Sequence, residues 1–156
     1  MDGALTRVGS GGDIITKNKY RNFDLTLDWN IAEGGNSGVF YRAVETSDPI
    51  YYSAPEMQLL DDARHSDGKA LLTSSGTNFG LYPTERGIVK AAGQWNTSRL
   101  VVNGNHVEHW LNGTKVVEYE LHSADWKQRV AASKFAAYPG FAASRLADFA
   151  ASFRST

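Results

Sequence analysis

The sequence predicts an all-β domain built as a sandwich, and three observations carry that expectation. Aromatic residues make up 12% of the chain, with seven Tyr and four Trp beside 15 glycines, a composition suited to strands joined by tight turns. Residues 23–31 alternate without a break, Phe23, Leu25, Leu27, Trp29 and Ile31 on one face against Asp24, Thr26, Asp28 and Asn30 on the other. Three further β-rich runs, 95–102, 105–111 and 115–121, are separated by Asn103-Gly104 and Asn112-Gly113. Asn-Gly is the favoured two-residue hairpin turn, so these runs form a meander.

Bulk properties narrow the function. At 156 residues the chain amounts to one domain, 1–156, with enough length for a substantial core. Its net charge of −1 and the lack of any Lys/Arg run argue against nucleic acid and membrane surfaces as partners. No apolar run reaches membrane-spanning length. Residues 1–5 carry no charged-then-apolar leader, so no signal peptide is expected and the compartment stays open. The absence of cysteine excludes disulfides and thiolate metal sites.

Taken in order, a glycine turn at 9–12 precedes a short strand at 13–16, and the long alternating strand follows. Residues 33–37 form a turn into a run at 38–43, in which Gly38, Phe40 and Arg42 share one side and Val39 and Tyr41 the other. A loop starts at 47–49 and leads into the strand at 55–62, and the polar stretch 61–78 has the length of a functional loop. Residues 80–83 form a short edge piece. After the meander, Trp126 and Val130 stand four apart and predict one short helix at 124–133. Leu146, Phe149 and Phe153 fit a helical period better than a strand.

The strand at 55–62 carries the most chemistry. Alternation puts Glu56, Gln58 and Leu60 on one face and Met57, Leu59 and Asp61 on the other. A carboxylate and an amide about 6.7 Å apart along a sheet face suit sugar hydroxyls. Glu56 either pairs with Arg42 to steady the sheet or acts with Arg42 and Gln58 on a ligand. His65 lies in the loop after Asp61 and Asp62, where a histidine beside carboxylates serves as a base or, with Asp61 and Asp62, as a weak divalent-cation ligand. Tyr41 and Tyr82 are candidate platforms for a sugar ring. Trp95 and Trp110 fit the core, with Trp95 also a candidate sugar contact. His109 shares the apolar parity of Val107 and Leu111 and fits a satisfied core histidine, with a ligand role as the alternative. Glu108 takes the opposite face and joins the candidates if it converges with Arg42, Glu56 and Gln58.

Several fragments are familiar together. They are 12–16 (GDIIT), 34–42 (GGNSGVFYR), 55–61 (PEMQLLD), 93–96 (GQWN), 107–113 (VEHWLNG) and 133–136 (SKFA). In this order they resemble the 3-keto-disaccharide hydrolase-like family, related in fold to concanavalin A-type lectins and family 16 glycoside hydrolases. The resemblance runs from about residue 3 to 141 and implies a jelly-roll of two antiparallel sheets with a carbohydrate ligand on the concave face. It also implies a closing strand that nothing after Phe141 matches, so 142–156 reads as a divergent tail. A sandwich without that strand exposes a sheet edge, which the tail or a neighbouring chain would cover, the latter as a homodimer or by strand exchange.

The resemblance bears on mechanism too. Family 16 enzymes place their carboxylates on one strand. Here Glu56 and Asp61 face opposite ways, while Glu56 and Asp62 lie roughly 20 Å apart in a regular strand. A retaining glycosidase needs about 5–5.5 Å. Cleavage of a 3-keto glycoside, as the resemblance implies, avoids that requirement, because the ketone acidifies the C2 proton and a single base suffices. Glu56 or His65 is then the base. The alternatives are a noncatalytic carbohydrate-binding module and an incomplete, self-associating fragment.

Overall fold

The structure, a computed structural model, describes residues 3–9, 12–44, 49–142 and 150–155, with Ala142 and the last segment by backbone alone. Among the described residues the strands are β1 (Ile14–Ile15), β2 (Phe23–Trp29), β3 (Asn36–Ala43), β4 (Glu56–Leu60), β5 (Asn96–Asn103), β6 (His106–Leu111), β7 (Thr114–Glu120) and β8 (Ala150–Ser155). They form two four-stranded antiparallel sheets, ordered β1-β8-β3-β4 and β2-β5-β6-β7. The predicted all-β sandwich is therefore present.

Side-chain alternation explains why the sheets stack. Val39, Tyr41, Met57 and Leu59 from one sheet join Trp29, Leu100, Val102, Val107, Leu111, Val117 and Tyr119 from the other in one core. Each fully buried aliphatic side chain contributes roughly 1.5–3 kcal/mol, so this shared layer holds the domain together. The meander forms as expected, with one shift. Asn103 pairs with His106, so the first loop is Gly104-Asn105, one residue later than predicted. The second loop is Asn112-Gly113, and both of its residues adopt the positive φ that such a turn requires, 49° and 83°.

The predicted helix is α1 (Ala124–Ala131), with the Ser123 hydroxyl accepting the Trp126 N–H at 3.1 Å. Trp126 and Val130 are its buried residues. One further turn, α2 (Pro139–Ala142), follows. Among the described residues no helix is long and apolar enough to cross a membrane.

The tail departs from expectation. Residues 150–155 are a strand, not a helix, inserted between β1 and β3 with Phe153 in register with both Ile14 and Val39. Long-range pairing with the open edge of β3 outweighs a weak helical period. The chain's own tail thus covers the sheet edge, the first of the two coverings expected. Ser10, Gly11, the loop residues 47 and 48, Leu146 and Phe149 lie outside the described residues.

Candidate functional site

β3 and β4 pair so that Gly38 faces Gln58 and Phe40 faces Glu56. Because Val39, Met57 and Leu59 point into the core, Glu56 and Gln58 stand on the opposite face, away from the second sheet. On its other side β4 is bordered by residues 76–79, through Gly76 N–H to Gln58 O (2.8 Å), Gln58 N–H to Thr77 O (3.2 Å) and Phe79 N–H to Glu56 O (3.0 Å). This brings Phe79 beside Glu56. The turn Lys134–Ala137, capped by the Ser133 hydroxyl, supplies a third wall. Together they enclose a cavity of about 120 Å³. Its polar lining is Asn36, Ser37, Glu56, Gln58, Asp67 and Lys134, and its aromatic lining is Phe40, Tyr51, Phe79 and Phe135.

Three of these groups define what the cavity can do. Gln58 is 1% exposed, its Nε2 makes only a long 3.5 Å contact to Thr73 O, and its Oε1 has no hydrogen-bond partner. Burying such an acceptor unpaired costs about 1–3 kcal/mol, which a ligand hydroxyl would recover. Glu56 lies over Gly38, and a Cβ there would fall 2.0 Å from Oε1. Only glycine leaves room for that carboxylate position. The Lys134 ammonium sits 4.5 Å from the centre of the Phe79 ring, 5.3 Å from Phe135 and 5.8 Å from Tyr51. Among the described residues it makes no ion pair, so its charge faces the cavity held by aromatic rings alone.

The other predicted residues are placed differently. Arg42 does not join Glu56. The β3–β8 register shifts between Phe40 and Ala43, Arg42 takes a left-handed φ of 57°, and its Nη2 donates to the Gly104 carbonyl of the other sheet's hairpin. Tyr41 is fully buried, its hydroxyl 2.9 Å from His109 Nε2 and 2.7 Å from the Tyr119 hydroxyl. Tyr82 stacks on Tyr119 at 4.5 Å and donates to Asp125 at 2.7 Å. Neither tyrosine is a sugar platform. Trp95 is 53% exposed, so it is not a core residue, and it lies outside the cavity lining. Trp110 is not core either, since its indole N–H donates to Glu108 at 2.7 Å on the outer face of the second sheet.

Glu108 therefore faces away from Glu56, on the far side of the sandwich. The Trp110 hydrogen bond and the neighbouring His106 hold its carboxyl below the usual range. His109 is the satisfied core histidine. Its Nδ1 lies 3.0 Å from the Gly76 carbonyl, which fixes the proton on that nitrogen and leaves Nε2 to accept from Tyr41. Burial pulls its pKa down to about 4, so the ring is neutral near pH 7. Through Gly76, His109 anchors the segment that borders β4.

His65 is not a free base, because its Nδ1 accepts the Asp67 N–H at 3.1 Å and caps the turn Ser66–Lys69. Asp61 accepts the Gly34 and Ala63 N–H groups at 2.8 and 3.2 Å, and Asp62 accepts the Ser75 N–H at 2.8 Å. These three side chains tie down backbone and do not converge on a cation. Among the described residues the group of metal-ligating atoms that does converge is His106, Glu108 and Glu118, within 4.8 Å of one another. There Lys115 Nζ lies 2.6 Å from Glu118 Oε2, so a lysine already balances the carboxylates.

The 3-keto-alpha-glucoside-1,2-lyase-like domain family is matched over residues 1–154. The chain belongs to this family. That match extends to residue 154 and so takes in most of 142–156, the segment set apart as a divergent tail, including residues 150–154 of β8. Among similar proteins is a 3-keto-disaccharide hydrolase of Bacteroides thetaiotaomicron, 36% identical over 146 residues, an alignment covering 85% of this chain and 50% of the relative. The chain thus spans about half the length of that curated relative. A crystal structure of a "putative glycosyl hydrolase" from Parabacteroides distasonis superposes with a TM-score of 0.82 at 31% identity, covering 92% of this chain and 69% of the other. A second from the same species gives 0.69 at 27% identity, with 90% and 74% covered.

Sequence reasoning missed Lys134, Asp67, Tyr51 and Phe79, and left Asn36 and Ser37 as turn residues. The signal for some of them was present, because Asn36, Ser37 and Lys134 lie inside the fragments that carried the family resemblance.

Proposed function

We propose that this chain is the sandwich domain of an enzyme that cleaves 3-keto glycosides by elimination, with Glu56 as the base. The observation that carries the proposal is the buried, unpartnered Gln58 Oε1 on the same cavity wall as Glu56. It is an acceptor waiting for a sugar hydroxyl. Elimination needs one base at the C–H and no second carboxylate at a fixed distance, and of the two carboxylates lining the cavity, Glu56 and Asp67, Glu56 is the one that shares the β4 face with Gln58.

In the reaction, the Glu56 carboxylate takes the C2 proton and the C2–H electrons form an enolate with the C3 carbonyl. Collapse of the enolate forms the C1–C2 double bond and breaks the C1–O bond; water protonates the leaving oxygen, and the hydroxide so formed takes the C2 proton back from Glu56. Lys134 offers the positive charge for the developing enolate oxygen, and Gln58 holds a neighbouring hydroxyl. General-base catalysis of this kind contributes typically about 10²–10⁴-fold. The names of the family and of the curated relative support the substrate class. The test is turnover of a 3-keto-α-glucoside by the wild-type chain and by Glu56→Gln. Loss of turnover in the variant supports the assignment. Tight binding of the glycoside by wild type with no aglycone release would instead make the domain a noncatalytic carbohydrate-binding module.

A further inference from the structure

A second, larger groove adjoins the Glu56 cavity, with a volume of about 500 Å³, and Phe79 and Lys134 line both. We infer that this groove is the leaving-group subsite and that it takes an apolar, ring-bearing aglycone, an inference that rests on the 3-keto-glycoside assignment. Its walls are Leu72, Phe79 and Leu81 on one side and Arg129, Ala132 and Ser133 on the other. Leu72 is 39% exposed although it is a large aliphatic residue beside a cleft. An aglycone ring would remove that surface from water.

Two further observations describe the groove away from Lys134, whose ammonium stands at the wall shared with the Glu56 cavity. The Arg129 guanidinium is already committed: Nε binds Asp125 at 3.0 Å, Nη1 donates to the Leu81 carbonyl at 3.1 Å, and the group lies 4.5 Å over the Tyr82 ring. It presents a flat wall instead of an anion site. The groove is also preformed. The Gly80 N–H donates to the Leu72 carbonyl at 2.9 Å, which ties the two parts of one wall together. Gly80 itself has a φ of 73°, and a Cβ there would meet the Phe135 ring at 3.2 Å, so glycine lets this wall pack closely against Phe135. A sugar ring held at Glu56 and Gln58 would direct its C1 substituent past Phe79 and Lys134 into this groove.

The experiment compares kcat/KM for 3-keto-glucosides carrying methyl and cyclohexylmethyl aglycones, two leaving alcohols of similar acidity. In parallel, calorimetry measures binding of the unoxidised cyclohexylmethyl glucoside. The expected result is a preference for cyclohexylmethyl of about tenfold or more, a modest return for several buried methylenes. Leu72→Asp should collapse that ratio towards one and weaken the calorimetric affinity in parallel. Equal rates for the two substrates in wild type, or a preference that survives Leu72→Asp, would overturn the assignment. So would a stronger preference for a carboxylate-bearing or sugar aglycone. If no 3-keto-glucoside turns over, the reaction assignment fails, and the Leu72→Asp effect on calorimetric binding still decides the groove.

Discussion

A Cβ at position 38 would lie 2.0 Å from Oε1 of Glu56 and 2.8 Å from its Cδ, so glycine there is what lets the carboxylate rest across the strand pair. Gly38→Ala should displace Glu56, the flexible partner, and leave the backbone nearly undisturbed. We predict a fall of at least about tenfold in kcat on a 3-keto-glucoside, since small misplacements of a reacting group are expensive. The melting temperature should change by only a few degrees. Steady-state kinetics beside thermal unfolding checks both halves.

Gln58 should separate binding from stability. Replacing it by Leu removes the acceptor for a substrate hydroxyl and also removes a buried carbonyl with no protein partner. The expected outcome is a roughly 10–100-fold rise in KM with a melting temperature equal to or above wild type. A strong loss of stability would show instead that Gln58 is a structural residue.

Lys134 should act on kcat more than on KM, because the charge it meets develops during the reaction. Its side chain stands among the rings of Phe79, Phe135 and Tyr51, so Lys134→Met keeps the apolar contacts and deletes the charge. We predict a loss of about 10–100-fold in kcat, partly restored by Lys134→Arg. Circular dichroism of the same variants confirms that the fold is kept.

His109 makes stability depend on pH. Burial lowers its pKa to about 4 from an ordinary value of 6.5, so the folded state favours the neutral ring. Between those values the unfolded chain binds more protons than the folded one, and stability must rise with pH across that window. The contribution is complete above about pH 6.5, falls away as pH drops towards 4, and amounts to roughly 3 kcal/mol. Denaturant unfolding at pH 4.5 and 7 should show this difference, and His109→Gln should flatten it.

Which parts of the molecule could be seen in advance follows from how local their causes are. The parity of β2, β4 and β6 follows from alternation alone, and it placed Glu56 and Gln58 on one face and His109 in the core. Arg42 escaped because a single left-handed residue at a register shift redirects one side chain, which no alternation pattern encodes. β8 escaped because its partners, β1 and β3, are distant in sequence and its own propensity is weak. His65 appeared as a base because the turn it caps, Ser66–Lys69, is not visible as a turn until its backbone is placed. Lys134 is brought to Glu56 only by the packing of the segment after α1, so its fragment was familiar while its role was hidden.

The central claim is that Glu56 removes the C2 proton of a 3-keto glycoside. Its most direct test is proton NMR of a 3-keto-α-glucoside incubated with the wild-type chain and with Glu56→Gln, both corrected for spontaneous elimination. Wild type should release the aglycone in step with disappearance of the C2–H signal, and Glu56→Gln should slow both by about 100-fold or more. Aglycone release with the C2 proton retained, or an undiminished rate in Glu56→Gln, would contradict it.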